Sequence, residues 1–121
     1  MKTGYEELIK QAYAGFNARD IDSVLSMMAP DVIWPNGWEG GYVHGHDEIR
    51  DYWTRQWKEV NSSVESITVS ENSDGRIVVD VHQVGKDSSG NILFEGDVTH
   101  IYTLENGLIK SMEIEKPSEN D

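Results

Sequence analysis

Two periodicities divide the chain near residue 60. Before it, apolar side chains recur every three or four positions; after it, they alternate with polar ones. Tyr5, Leu8, Ile9, Ala12, Tyr13 and Phe16 form one face of a first helix, predicted from Tyr5 to Ala18, and Thr3 with Glu6 fits a capping box at its start. Asp20 caps a short second helix with Ile21, Val24, Leu25 and Met28 on one face. Pro30 is expected to end it, because a proline pushes the preceding residue out of the helical region. Val32 to Trp34 reads as a brief strand stopped by Pro35, and Asn36 to Gly41, with three glycines in six residues, as a loop. A third helix begins near His46-Asp47-Glu48, where the acids suit the positive end of the helix dipole. It presents Ile49, Tyr52, Trp53, Trp57 and Val60.

The alternating half predicts strands over Val64 to Ser70, Arg76 to Lys86, Ile92 to Glu105 and Leu108 to Glu115, with turns at Asn72–Gly75, Asp87–Gly90 and Asn106-Gly107. The expected fold is therefore α+β: three N-terminal helices packed on a curved four-stranded antiparallel sheet, plus one short extra strand. Residues 1–116 are expected to form a single domain and residues 117–121 a flexible tail with nothing to bury. A curved sheet wrapped over an aromatic-faced helix leaves a cone, and the open end of a cone is a natural pocket.

The last hairpin sets a register. Asn106-Gly107 suits a two-residue turn in which both residues take positive φ. Counting outward pairs Glu105 with Leu108, Leu104 with Ile109, Tyr102 with Ser111 and His100 with Glu113. A carboxylate opposite an imidazole orients the ring and raises its pKa, so His100, Glu113 and Tyr102 form the candidate catalytic group. Tyr102 would polarise a substrate oxygen. Two faces of this hairpin compete for the interior: Val98, His100, Tyr102, Leu104 and Ile109 against Ile101, Leu108, Met112 and Ile114. On the outer-face alternative, the histidine and glutamate are only a cross-strand polar pair.

Composition narrows the function. Of 121 residues, 37% are hydrophobic before 11 glycines are counted, enough for one packed core. Cysteine is absent, which removes disulfides, thiol catalysis and thiolate metal sites. A formal charge of −12 argues against nucleic acid and anionic membrane surfaces as partners. No apolar run is long enough to span a bilayer, and no secretory leader is recognisable, so a cytoplasmic location is expected.

The order of elements resembles the nuclear transport factor 2-like superfamily, and within it the SnoaL-like group. The stretches that carry the resemblance are Tyr13-Ala-Gly-Phe-Asn-Ala-Arg-Asp20, Gly45-His-Asp-Glu-Ile-Arg-Asp-Tyr-Trp53 and Val98-Thr-His-Ile-Tyr-Thr-Leu-Glu-Asn-Gly-Leu-Ile109. The resemblance implies a cone-shaped domain and a homodimer formed through the outer sheet face. It also implies a range of activities that includes isomerases, cyclases, dehydratases, epoxide hydrolases and plain binders. Ketosteroid isomerases place a general-base aspartate before the proline that ends the first strand. The matching residue here is Trp34, whose indole cannot take a proton from carbon.

Trp34, Trp38, Trp53 and Trp57, with Tyr13, Phe16 and Gln83, are the candidate substrate-binding residues, Trp38 as an anchor over the ligand. Asp80 and His82 are expected to face solvent or a partner subunit, since Ile77, Val79 and Val81 claim the core. His44 and His46 are spaced to chelate but lack a third ligand, so no metal site is assigned. No cofactor is expected, because proton transfer beside a carbonyl needs only an acid, a base and a dry pocket. The readings are an isomerase, cyclase or dehydratase acting on a small apolar ligand, a binding module without chemistry, and a dimer subunit whose cone is filled by its own tryptophans.

Overall fold

The computed structural model describes residues 4–36 and 40–115. Its elements are α1 (Gly4–Asn17), α2 (Ile21–Leu25), β1 (Met28–Pro35), β2 (Tyr42–His44), α3 (Gly45–Glu59), β3 (Asn61–Glu71), β4 (Ile77–Lys86), β5 (Ile92–Glu105) and β6 (Leu108–Glu115). The strands form one six-stranded sheet in the order β2-β1-β6-β5-β4-β3. The core joins Ile9, Ala12 and Tyr13 of α1 and Ile49, Tyr52 and Trp53 of α3 to Ile77, Val79, Val81, Val98, Tyr102, Ile109 and Met112 on the inner sheet face. The helices thus cover one side of the sheet, and among the described residues none packs on the other. Thr3 and the tail at 117–121 lie outside the described residues.

The sheet has six strands rather than four plus a short extra one, and it is not wholly antiparallel. β1 runs parallel to β6, with Met28 beside Ile109 and Ile33 beside Ser111. Tyr42–His44 adds a strand, β2, on the other side of Ile33–Pro35. The second helix stops at Leu25, five residues before Pro30, because Met28 is 2% exposed as a strand residue and the amide of Ile109 donates to the Met27 carbonyl. Pro30 is tolerated inside β1 because it lies outside the stretch that pairs with β2, where its missing N–H costs no ladder bond. Asp20 caps α2 as expected, accepting from the Ser23 amide. Close seating of α2 on α1 depends on Gly15, where a Cβ would come within 2.7 Å of Val24 Cγ2.

Asn106 and Gly107 take φ of 56° and 81°, so the last hairpin turns where the sequence places it. Three strands then break strict alternation. Ile67 in β3, Leu93 in β5 and Lys110 in β6 are each an extra residue that the neighbouring strand does not match. A bulge of this kind reverses which side chains face inward beyond it.

Candidate functional site

The bulge at Lys110 decides which side chains reach the interior. Glu105 pairs with Leu108 and Leu104 with Ile109, as counted from the turn. Beyond the bulge Ser111 faces Thr103, Met112 faces Tyr102 and Ile114 faces His100. Glu113 stands opposite Ile101 on the outer face and is exposed. The expected His100–Glu113 and Tyr102–Ser111 pairs are therefore not formed. The physical reason is burial. Ile109 is fully buried and Met112 is 2% exposed, but they are three residues apart, so a regular strand can bury only one of them. The extra residue buries both, and its ammonium is held outside by Asp31 at 2.7 Å.

His100 has a different partner. Its Nδ1 lies 2.7 Å from the Tyr13 hydroxyl, which in turn accepts from the Tyr102 hydroxyl at 2.9 Å. With Tyr102 donating to Tyr13, the hydrogen of Tyr13 is free for Nδ1, which leaves the imidazole proton on Nε2. α1 contributes Tyr13 and β5 contributes the other two, so the group joins residues 87 positions apart. All three are buried: Tyr13 is 8% exposed, His100 6% and Tyr102 1%. Burial lowers the His100 pKa from 6.5 to about 4, so the ring is neutral across the physiological range. Burial also raises the pKa of both phenols, Tyr13 further through its neighbour Tyr102, so both remain protonated donors.

This chain of hydroxyls borders a cavity of about 680 Å³. Trp34, Pro35 and Asn36 of β1 and its end, Tyr52, Trp53 and Gln56 of α3, and Val98, His100 and Tyr102 of β5 contribute to its wall. Tyr13 and Phe16 of α1, Gln83 of β4 and Met112 and Ile114 of β6 complete much of the rest. No aspartate, glutamate, lysine or arginine is among the described lining residues. Trp34 and Trp53 line the cone without filling it. Trp34 meets Trp53 edge-on at 5.7 Å, and Phe16 meets Trp53 at 5.3 Å, which braces the aromatic wall.

Of the residues singled out from sequence, Tyr13, Phe16, Trp34, Trp53, Gln83, His100 and Tyr102 all border this cavity. Trp57 does not. It stacks behind Trp53 at 5.7 Å, with the Arg19 guanidinium 4.7 Å from its ring, and so supports the wall from outside. One α-helical turn past Trp53 is enough to carry it beyond the cavity. Trp38 lies outside the described residues. His82 is on the outer face, bonded through Nδ1 to Asp97 at 2.7 Å and through Nε2 to Glu95 at 3.0 Å. Asp80, beside it, accepts from Thr68 and Thr99. His44 is exposed ahead of α3, and His46 Nε2 lies 3.0 Å from the Met28 carbonyl. Among the described residues no group of three metal-ligating side chains converges.

Sequence reasoning missed the partnership of Tyr13 with His100, and also Asn36, Gln56, Ser62 and Met112 as cavity residues. One signal was available for Tyr13: it carries a hydroxyl on the apolar face of α1, and a buried hydroxyl needs a partner.

The sequence pattern of the SnoaL-like domain family matches residues 9–112. No functionally curated protein matches the chain in sequence. Among solved structures, TerC co-crystallised with polyporic acid is 29% identical, with a TM-score of 0.81 over 95% of this chain and 92% of that one. An NTF2-like protein of unknown function from Burkholderia pseudomallei is 24% identical, with a TM-score of 0.82 over 96% and 92%. SalBIII, an epoxide hydrolase/cyclase-like enzyme of pyran ring formation in the polyether salinomycin, is 17% identical, with a TM-score of 0.77 over 93% and 89%. The last two likenesses concern the fold alone. Among the described residues no helix is long and apolar enough to cross a membrane.

Proposed function

The chain belongs to the SnoaL-like domain family, and from that premise we propose that it binds a small, uncharged, mostly apolar organic molecule in the cavity and moves a proton on it. The reaction is of isomerase, cyclase or dehydratase type. The observation that carries this reading is the buried Tyr102–Tyr13–His100 chain beside a cavity whose described lining has no charged side chain.

A neutral imidazole wired to two hydroxyls can work in either direction. With Tyr13 donating to Nδ1, Nε2–H is a donor for a substrate oxygen on which negative charge develops. In the other neutral tautomer, reached when Nε2 gives its proton to solvent and Nδ1 takes one up, the hydroxyl hydrogens turn about: Nδ1–H donates to Tyr13, Tyr13 donates to Tyr102, and Nε2 becomes the acceptor. The exchange leaves the ring neutral at both ends of the step. In the accepting form Nε2 takes a proton from carbon beside a carbonyl. The C–H electrons become the enolate double bond, and the negative charge goes to the carbonyl oxygen. Asn36 and Gln56 are amide side chains on the same cavity lining that can receive that oxygen. Because burial makes the imidazolium a stronger acid than an exposed one, the proton returns readily to a second position on the same molecule.

The test is deuterium exchange at carbon 1 of 2-tetralone, an uncharged enolisable ketone, followed by NMR. The wild-type chain should accelerate exchange, and His100→Gln should remove roughly a hundredfold or more of that acceleration. Equal exchange in the two proteins would end the reading. A second reading, binding without chemistry, is favoured by the exclusion of Glu113 from His100, which leaves the imidazole a weak base. The likeness to TerC makes polyporic acid the probe for it. Affinity for polyporic acid that survives His100→Gln, together with no exchange of 2-tetralone, would select that reading.

A further inference from the structure

Ser62 also lines the cavity and is 7% exposed, yet its Oγ has no hydrogen-bond partner among the described residues. A buried hydroxyl without a partner is unfavourable and needs an explanation. Its neighbours supply one. Ser62 stands opposite Gly85 on β4, and Gly85 stands opposite Phe94 on β5. The three therefore share a row on the inner face. The Phe94 ring lies in the space a side chain at Gly85 would need: a Cβ there would overlap its Cζ. Phe94 is 40% exposed and borders the same cavity. One row further along the inner face, Gly96 faces open space, since a Cβ built there meets nothing within 4 Å. His100 pairs with Val79, and Gly85 is six residues further along β4, so the two rows are separated by about 20 Å of extended strand.

We propose that Ser62, Gly85 and Phe94 form a distal subsite for the far end of an elongated aromatic ligand with an oxygen function at each end. One oxygen meets His100, and the other accepts or donates a hydrogen bond at Ser62 Oγ. A ring of the ligand packs on the exposed side of Phe94, and the open space at Gly96 leaves room for its middle. This assignment rests on the reading that the cavity takes a ligand against His100.

Calorimetric titration of the full chain with 2-naphthol, 4-hydroxy-p-terphenyl and 4,4″-dihydroxy-p-terphenyl tests it. The diol should bind roughly threefold to tenfold tighter than the mono-ol. Ser62→Ala should make the two terphenyls equal while leaving 2-naphthol unchanged. Phe94→Ala should weaken both terphenyls and leave 2-naphthol unchanged. A diol advantage that persists in Ser62→Ala would overturn the subsite, with the hydroxyl then satisfied by water. Terphenyls that bind the wild type no tighter than 2-naphthol would also overturn it, with the His100 reading left standing. Failure of all three phenols to bind would overturn both.

Discussion

His82 and His100 occupy neighbouring strands of one sheet, yet their imidazoles are held in opposite states. His82, on the outer face, has a carboxylate on each ring nitrogen, Asp97 first and then Glu95, and their hydrogen bonds raise its pKa. Both nitrogens must donate for both bonds to form, so this geometry suits the imidazolium. His100, on the covered face, has one neutral hydroxyl, and burial lowers its pKa to about 4. The residue type is the same, so the difference comes entirely from solvent and partners. Charge is kept to the face where water can solvate it, and the described lining of the cavity is left with neutral groups.

The largest effect expected on this contrast comes from removing its covered side. Tyr102 is 1% exposed and holds both the inner face and the hydroxyl chain. Tyr102→Ala should cost about 3–5 kcal/mol in chemical denaturation. Next comes acidification. The unfolded chain binds a proton at His100 more tightly than the folded one does, so this group's contribution is intact above the ordinary value of 6.5. It is lost as pH falls toward about 4. A depression of that size corresponds to roughly 3 kcal/mol. Denaturation at several pH values should show this decline in the wild type and a smaller one in His100→Gln.

A third experiment gives His100 the carboxylate that the register denies it. Ile114 stands opposite His100 and is 37% exposed, so Ile114→Glu should fold and place an acid across the strands. The His100 pKa, followed by NMR, should then rise by about one unit or more. No rise would mean that the observed pairing of these strands is wrong. The smallest effect concerns the outer face. Raising the salt concentration to about 1 M shortens the screening length to roughly 3 Å. The pKa of His82 should fall toward its ordinary value, while that of His100 should not move. The stability His82 contributes is present below its ordinary pKa and is lost as pH rises through its raised one.

The helices, the long strands and the final turn were legible because each depends on local signals: Tyr5 to Phe16 at helical spacing, Asp20 as a cap, Asn106-Gly107 at positive φ. The family resemblance was legible for the same reason. The pairing of His100 was not, although a trace of it was present. Ile109 and Met112 are both strongly apolar and three positions apart. That is why neither face of β6 could be preferred: only a bulge between them buries both. β1 was misread because Pro30 is a helix breaker by local rules, and its acceptance in a strand depends on where β2 ends, which is a tertiary fact. The Tyr13–His100 bond joins α1 to β5 across most of the chain, and no local pattern encodes such a contact.

The bulge at Ile67 has a consequence beyond the cavity. β2 is three residues long, so β3, with eleven, is the long edge of the sheet, and Asn17 of α1 already pairs with both backbone groups of Val64 on it. An uninterrupted edge of that length would template the addition of a strand from another molecule. Here the extra residue falls mid-strand, between Ser66 and Thr68, and the exposed acids Glu65 and Glu71 lie on either side of it. An incoming chain would meet a break in the ladder and a pair of negative charges, which makes the longest edge of this protein a poor seed for fibril growth.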